Sequence, residues 1–81
     1  MNDWLSERAD ALSRATGVDR TAFDLSDDDV ERLLELAGYA AHSTDLRTNA
    51  PLLCYLVGRA QGSDTGGRSL ADLAEILRST S

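Results

Sequence analysis

Ala50-Pro-Leu-Leu-Cys-Tyr-Leu-Val-Gly-Arg-Ala60 is the most apolar run in this chain. Placed at about 100° per residue, Leu52, Leu53, Leu56, Val57 and Ala60 share one continuous arc, and only Arg59 and Gln61 are strongly polar. The spacing predicts a mostly buried helix over 50–61, the innermost rod of an all-α fold. Cys54 and Gly58 sit one turn apart beside the arc. Neither is bulky, so another helix is expected to approach the backbone closely there, which marks packing rather than an active site.

The element before it supplies the complement. Ser26-Asp-Asp-Asp29 reads as a helix start, with Ser26 as N-cap, Asp29 at the capping-box position, and Leu25 and Val30 at staple spacing. Helix two is predicted over 27–42, with Val30, Leu33, Leu34, Ala37, Ala40 and Ala41 on one arc and Glu31, Glu35 and His42 opposite. Its small C-terminal half, Ala37-Gly-Tyr-Ala-Ala41, matches the Cys54 and Gly58 notch. Close antiparallel packing of helices two and three follows. Ser43 to Asn49 is a loop of the length that joins such neighbours, with Thr48 or Asn49 as the next cap and Pro51 tolerated in the first turn.

Outside this pair, two further helices are expected. The first spans about 3–16, capped by Asn2 and stopped by Gly17, with Trp4, Leu5, Ala9, Ala11, Leu12 and Ala15 facing the core. Arg8 falls inside that arc, so its stem is expected along the core with its head on an acidic partner or a ligand. Val18 to Leu25 is a connector whose Val18, Phe23 and Leu25 fold back over the core. Gln61 to Arg68 is a flexible turn-forming loop. Ser69-Leu-Ala-Asp72 repeats the capping-box pattern and opens the last helix, about 70–78, which docks through Leu70, Leu73, Ala74, Ile76 and Leu77. The whole is a compact four-helix bundle forming one domain, 1–81.

Composition narrows the function classes. Eighty-one residues suffice for a single small core and no more. Fourteen acidic residues face eight basic ones, all arginine and dispersed, for a net charge of −6. A chain so acidic, with no basic stripe, is expected to bind neither nucleic acid nor an anionic membrane surface. One cysteine makes no intramolecular disulfide, which suits a reducing cytoplasm. The opening Met-Asn-Asp-Trp shows no leader pattern, and no segment approaches the ~20 apolar residues of a membrane span.

The chemistry available is sparse. With one Cys, one His and no Lys, nucleophilic catalysis has few routes. Cys54 is expected to be an inert thiol buried in an apolar helix. A single His with no second soft ligand builds no tetrahedral zinc site, and the three Asp of 27–29 lack the spacing of a calcium loop. No metal and no cofactor is therefore expected. Two helix starts carry a cation that could hold an anion, Gly66-Gly67-Arg68-Ser69 and, better placed beside His42, Arg47-Thr-Asn-Ala-Pro51.

Asp3-Trp4-Leu5, Leu33-Leu34-Glu35-Leu36-Ala37 through Ala41-His42, and Arg47 with Ala50-Pro51-Leu52 leading to Tyr55-Leu56-Val57-Gly58 together resemble a small helical domain family. That family is uncharacterised and frequent in actinobacteria. Its members occur alone or as a C-terminal extension of molybdenum cofactor guanylyltransferase-like proteins, which act in molybdopterin-guanine dinucleotide biosynthesis. The resemblance implies a cytoplasmic accessory domain, not an enzyme, with a molybdenum cofactor biosynthesis enzyme as partner. His42, Arg47, Tyr55 and Arg8 are the candidate partner- or ligand-binding residues. The alternative is a small-ligand or nucleotide-binding domain with an anion held by Arg47 and His42. A homodimer is also open, because a core poor in aromatics leaves part of Trp4, Tyr39 or Tyr55 as a contact patch.

Overall fold

The computed structural model describes residues 1–80, and its order is helix α1 (Asp3–Thr16), a 3₁₀ turn (Arg20–Phe23), helix α2 (Asp27–Thr44), helix α3 (Asn49–Ser63) and helix α4 (Leu70–Thr80). No strand occurs among the described residues. The chain divides into two units, 1–30 and 31–81.

In the first unit the local signals act as expected. Asn2 Oδ1 accepts from the Leu5 amide at 2.9 Å, and Gly17, at φ 76°, donates its amide to the Ser13 carbonyl. That left-handed turn is one that only glycine adopts without strain. The connector is more ordered than a loop. Asp19 accepts from the amide and hydroxyl of Thr21, opening the 3₁₀ turn, and Arg20 reaches both Asp10 at 2.6 Å and Asp24 at 3.0 Å. The apolar arc predicted for α1 is corrected, since Ala9 alone of its members is buried. Trp4, Leu5 and Leu12 are exposed, as is Val18, while Phe23 and Leu25 are half-buried. Arg8 is exposed too. Its guanidinium stacks over Trp4 at 4.8 Å and reaches Glu7 at 3.6 Å, so its partner is its own helix surface rather than a core.

The capping box at the start of α2 is reciprocal. Ser26 Oγ accepts from the Asp29 amide at 3.0 Å while the Asp29 carboxylate accepts from the Ser26 amide at 3.1 Å, which satisfies two orphan donors. The same exchange joins Ser69 and Asp72 at the start of α4.

Helices α2 and α3 pack antiparallel. Thr44 bonds Asn49, Ala40 and Leu53 border one groove, and Leu36 and Val57 share one cluster, so descending positions on α2 meet ascending ones on α3. The core of this unit is Leu36, Val57, Leu70 and Ala74, with Leu33, Leu73 and Leu77 packed against it. Helix α4 therefore docks through positions i, i+3, i+4 and i+7 of one face.

Three expectations for these faces are corrected. On α2 the most buried side chain is Leu36, 2% exposed, whereas Leu34, assigned inward, is 68% exposed. Taking Leu33 as 0°, Leu36, Ala40 and Ala37 lie near −60°, −20° and +40°, and Leu34 lies near 100°. On α3 only Val57 is buried; Leu53 and Cys54 are half-buried, and Leu52, Leu56 and Ala60 are exposed. The innermost-rod reading of 50–60 thus holds for one side of the helix. On α4, Ile76 is half exposed. The small-residue notch is also revised, because a Cβ on Gly58 or Gly38 would meet nothing within 4 Å. Cys54 is what faces α2, its Sγ lying 3.8 Å from the Leu33 carbonyl oxygen.

Candidate functional site

The turn between α2 and α3 is built around Thr44, two residues beyond the predicted helix end. Its hydroxyl donates to the Ala40 carbonyl at 2.7 Å and accepts from the Asn49 side-chain amide at 3.1 Å and the Leu46 amide at 3.3 Å. Asp45, at φ 56°, makes the left-handed step that ends α2. Asn49 and Ala50 then donate their amides to the carbonyls of Leu46 and Arg47, and Pro51 has no amide to donate. The first three positions of α3 consequently have no free N–H for an anion.

His42 and Arg47 are both exposed in this region, and no hydrogen bond or ion pair joins them among the described residues. His42 lies about 180° around α2 from Leu33 and about 60° beyond Tyr39, off the edge where the two helices meet. That edge bears a groove of about 270 Å³ bordered by Tyr39, Ser43, Thr44, Asn49, Leu52 and Leu56. Neither His42 nor Arg47 borders it. Tyr55 also lies outside it, exposed on α3 with the Arg59 guanidinium 5.9 Å from its ring centre. Arg8 belongs to the first unit.

A second groove, about 250 Å³, runs between α3 and α4 and is bordered by Leu53, Leu56, Val57, Ala60, Leu73 and Ile76, with Leu77. Its walls are aliphatic. Leu53 and Leu56 border both grooves, with Leu56 the exposed ridge between them and Leu53 half-buried. Sequence reasoning placed Leu52 and Leu56 in the core and missed this surface. A helix apolar on nearly every side gives the wheel no means of choosing which side meets its neighbours.

The other anion candidate is occupied by the chain itself. Asp64 accepts from the Gly66 amide at 3.1 Å, the Arg68 amide at 2.9 Å and the Arg68 guanidinium at 2.9 Å. Gly67, at φ 68°, turns the backbone so that it can close around that carboxylate. The loop expected to be flexible is an Asx-type turn, and the signal was present as Asp64-Thr-Gly66 with Arg68 four residues on.

The same bonds carry a pH dependence. Hydrogen bonds from the Arg68 and Gly66 amides hold the Asp64 carboxyl below its ordinary 3.8. Between the depressed value and the ordinary one, the unfolded chain binds more protons, so stability rises with pH there. The contribution is complete above about pH 4 and is lost as pH falls through the folded value. Acidification below pH 4 is expected to destabilise the wild type more than Asp64→Asn, which does not titrate; denaturant melts across that range measure the difference.

Burial raises the Cys54 thiol above its ordinary value, which keeps it protonated and unreactive at neutral pH. Among the described residues no cluster of three His, Cys, Asp or Glu side chains could hold a metal ion, and no helix is long and apolar enough to cross a membrane.

Comparison with curated proteins and with solved structures gives no match. The model of the DUF6457 family, described as a domain of unknown function, matches residues 1–81, and the chain belongs to that family.

Proposed function

We propose that this DUF6457 domain is a non-enzymatic accessory module that acts by binding another protein in the cytoplasm. The observation that supports this most is the outer face of α3. There Leu52, Tyr55 and Leu56 are each 60% or more exposed, and two grooves, one aliphatic and one of mixed lining, meet at Leu56. Exposed, contiguous apolar side chains beside grooves are the physical mark of a protein-binding surface, because covering them releases ordered water without stranding polar groups. We further propose molybdopterin-guanine dinucleotide biosynthesis as the setting, on the sequence resemblance carried by His42 to Gly58.

Affinity capture with the full chain, followed by identification of what is retained, tests the reading. A molybdenum cofactor biosynthesis enzyme is expected on the wild type and absent from a Leu52→Glu, Leu56→Glu variant. Equal recovery on both, or none on either together with self-association absent, overturns it. Displaced His42 resonances on adding a guanine nucleotide to the isolated chain would assign ligand binding at His42 and Arg47 instead.

A further inference from the structure

We infer that the outer face of α3 is a self-association surface, and that its occupant is the same face of a second copy of this chain. This rests on the reading of the face as a protein-binding surface and names its occupant when the chain is alone; a partner enzyme would take that face in the second copy's place. Three observations carry it.

The first is pattern. Leu52, Tyr55, Leu56 and Arg59 occupy positions i, i+3, i+4 and i+7, the spacing by which one helix presents a stripe to another. The three apolar members are all well exposed.

The second is shape. Leu52 and Leu56 form a ridge with a groove of about 270 Å³ on the α2 side and one of about 250 Å³ on the α4 side. A ridge beside a groove on one surface is self-complementary under a two-fold axis, since each copy's ridge enters the other's groove. Tyr39, Leu52, Tyr55, Leu56 and Ile76, each exposed by a third to two thirds, offer on the order of 500 Å² of apolar surface per copy. A pair that covers these side chains fully buries at most about 1,000 Å² through them, the lower bound for a specific interface.

The third is charge. In a chain with 14 carboxylates, α3 carries none over Asn49–Ser63, and its single charged side chain is Arg59. Two copies of a −6 chain repel one another, but where α3 meets α3 no carboxylate faces a carboxylate. If the helices cross antiparallel between Leu52 and Leu56, the two Arg59 positions lie about 15 Å apart along the axis, beyond the Debye length at physiological salt. Each is already stacked on its own Tyr55.

Sedimentation of the full chain from micromolar to millimolar concentration reads the result. A concentration-dependent dimer is expected, tightened by added salt because the face carries no carboxylate and one arginine, so that what salt screens is repulsion between the copies. Leu56→Glu is expected to weaken it at least about thirty-fold, with Leu52→Glu doing the same, since a central apolar anchor is lost. Leu34→Glu, exposed on another side of α2, is expected to leave it unchanged. Helical circular dichroism checks that each variant is folded. A chain that stays monomeric throughout overturns the inference, as does a dimer that survives both Leu56→Glu and Leu52→Glu or is broken equally by Leu34→Glu. A monomer that captures a different protein through Leu56 overturns self-association while leaving the interaction reading intact.

Discussion

Leu36→Ala is expected to lower the unfolding free energy by about 2–5 kcal/mol, whereas Leu34→Ala, two positions away on the same helix, is expected to stay within about 0.5 kcal/mol. The contrast comes from geometry alone. Leu36 is 2% exposed and packed in one cluster with Val57, Leu70 and Ala74; Leu34 is largely in water. Truncating the first loses both the transfer free energy of its methyl groups and the contacts around the resulting cavity, because close-packed neighbours relax only partly. For a chain of this length, total stability on the order of 4–12 kcal/mol leaves little margin. The melting temperature of the first variant should fall by roughly 10–30 °C, and that of the second by a few degrees at most. Thermal melts of the two proteins side by side are sufficient. Equal effects would mean that α2 presents a different face to α3 and α4.

That pair of leucines also marks where sequence reading succeeds and where it stops. Boundaries were legible because they are set by a few residues acting on their nearest neighbours. Asn2, Ser26 with Asp29, and Ser69 with Asp72 each satisfy orphan amides within three residues, and Gly17 ends α1 by its own backbone freedom. Facing is set at a distance. On α2 the choice between an arc that reaches out to Leu34 and one that reaches back to Leu36 depends on which side meets α3 and α4, and both arcs are apolar enough to serve. On α3 the same ambiguity is total, so Leu52 and Leu56 read as core although they stand outside it. The candidate residues fared according to the same rule. Arg47 and His42 are close along the chain, but an advance of 100° per residue turns His42 away from the groove, and the turn's own bonds consume the amides beside Arg47.

Leu70→Ala carries the second large effect, and it acts on a different mode of opening. Helix α4 has 11 residues, too few to be stable alone in water, so its helicity depends on being held against α2 and α3. Two kinds of contact hold it. Leu70, Leu73, Ala74 and Leu77 supply apolar burial, and Arg78 pairs with Glu35 at 3.1 Å. The ion pair is about half exposed on both sides, which limits it to about 0–1 kcal/mol. Leu70, 4% exposed, lies at the first turn of α4, where the Ser69–Asp72 capping box fixes its direction, so its removal costs about 2–5 kcal/mol at the point where docking begins. Amide hydrogen exchange should therefore show protection of α4 falling by at least about 30-fold in Leu70→Ala, and by at most about five-fold in Arg78→Ala. Ile76→Ala should change little, because half of that side chain already lies in water. Strong loss in Arg78→Ala with none in Leu70→Ala would place the hold of this helix in its charges. Loss spread evenly over α2, α3 and α4 in Leu70→Ala would instead mean that the three helices open only together, since the core they share has no element that can leave by itself.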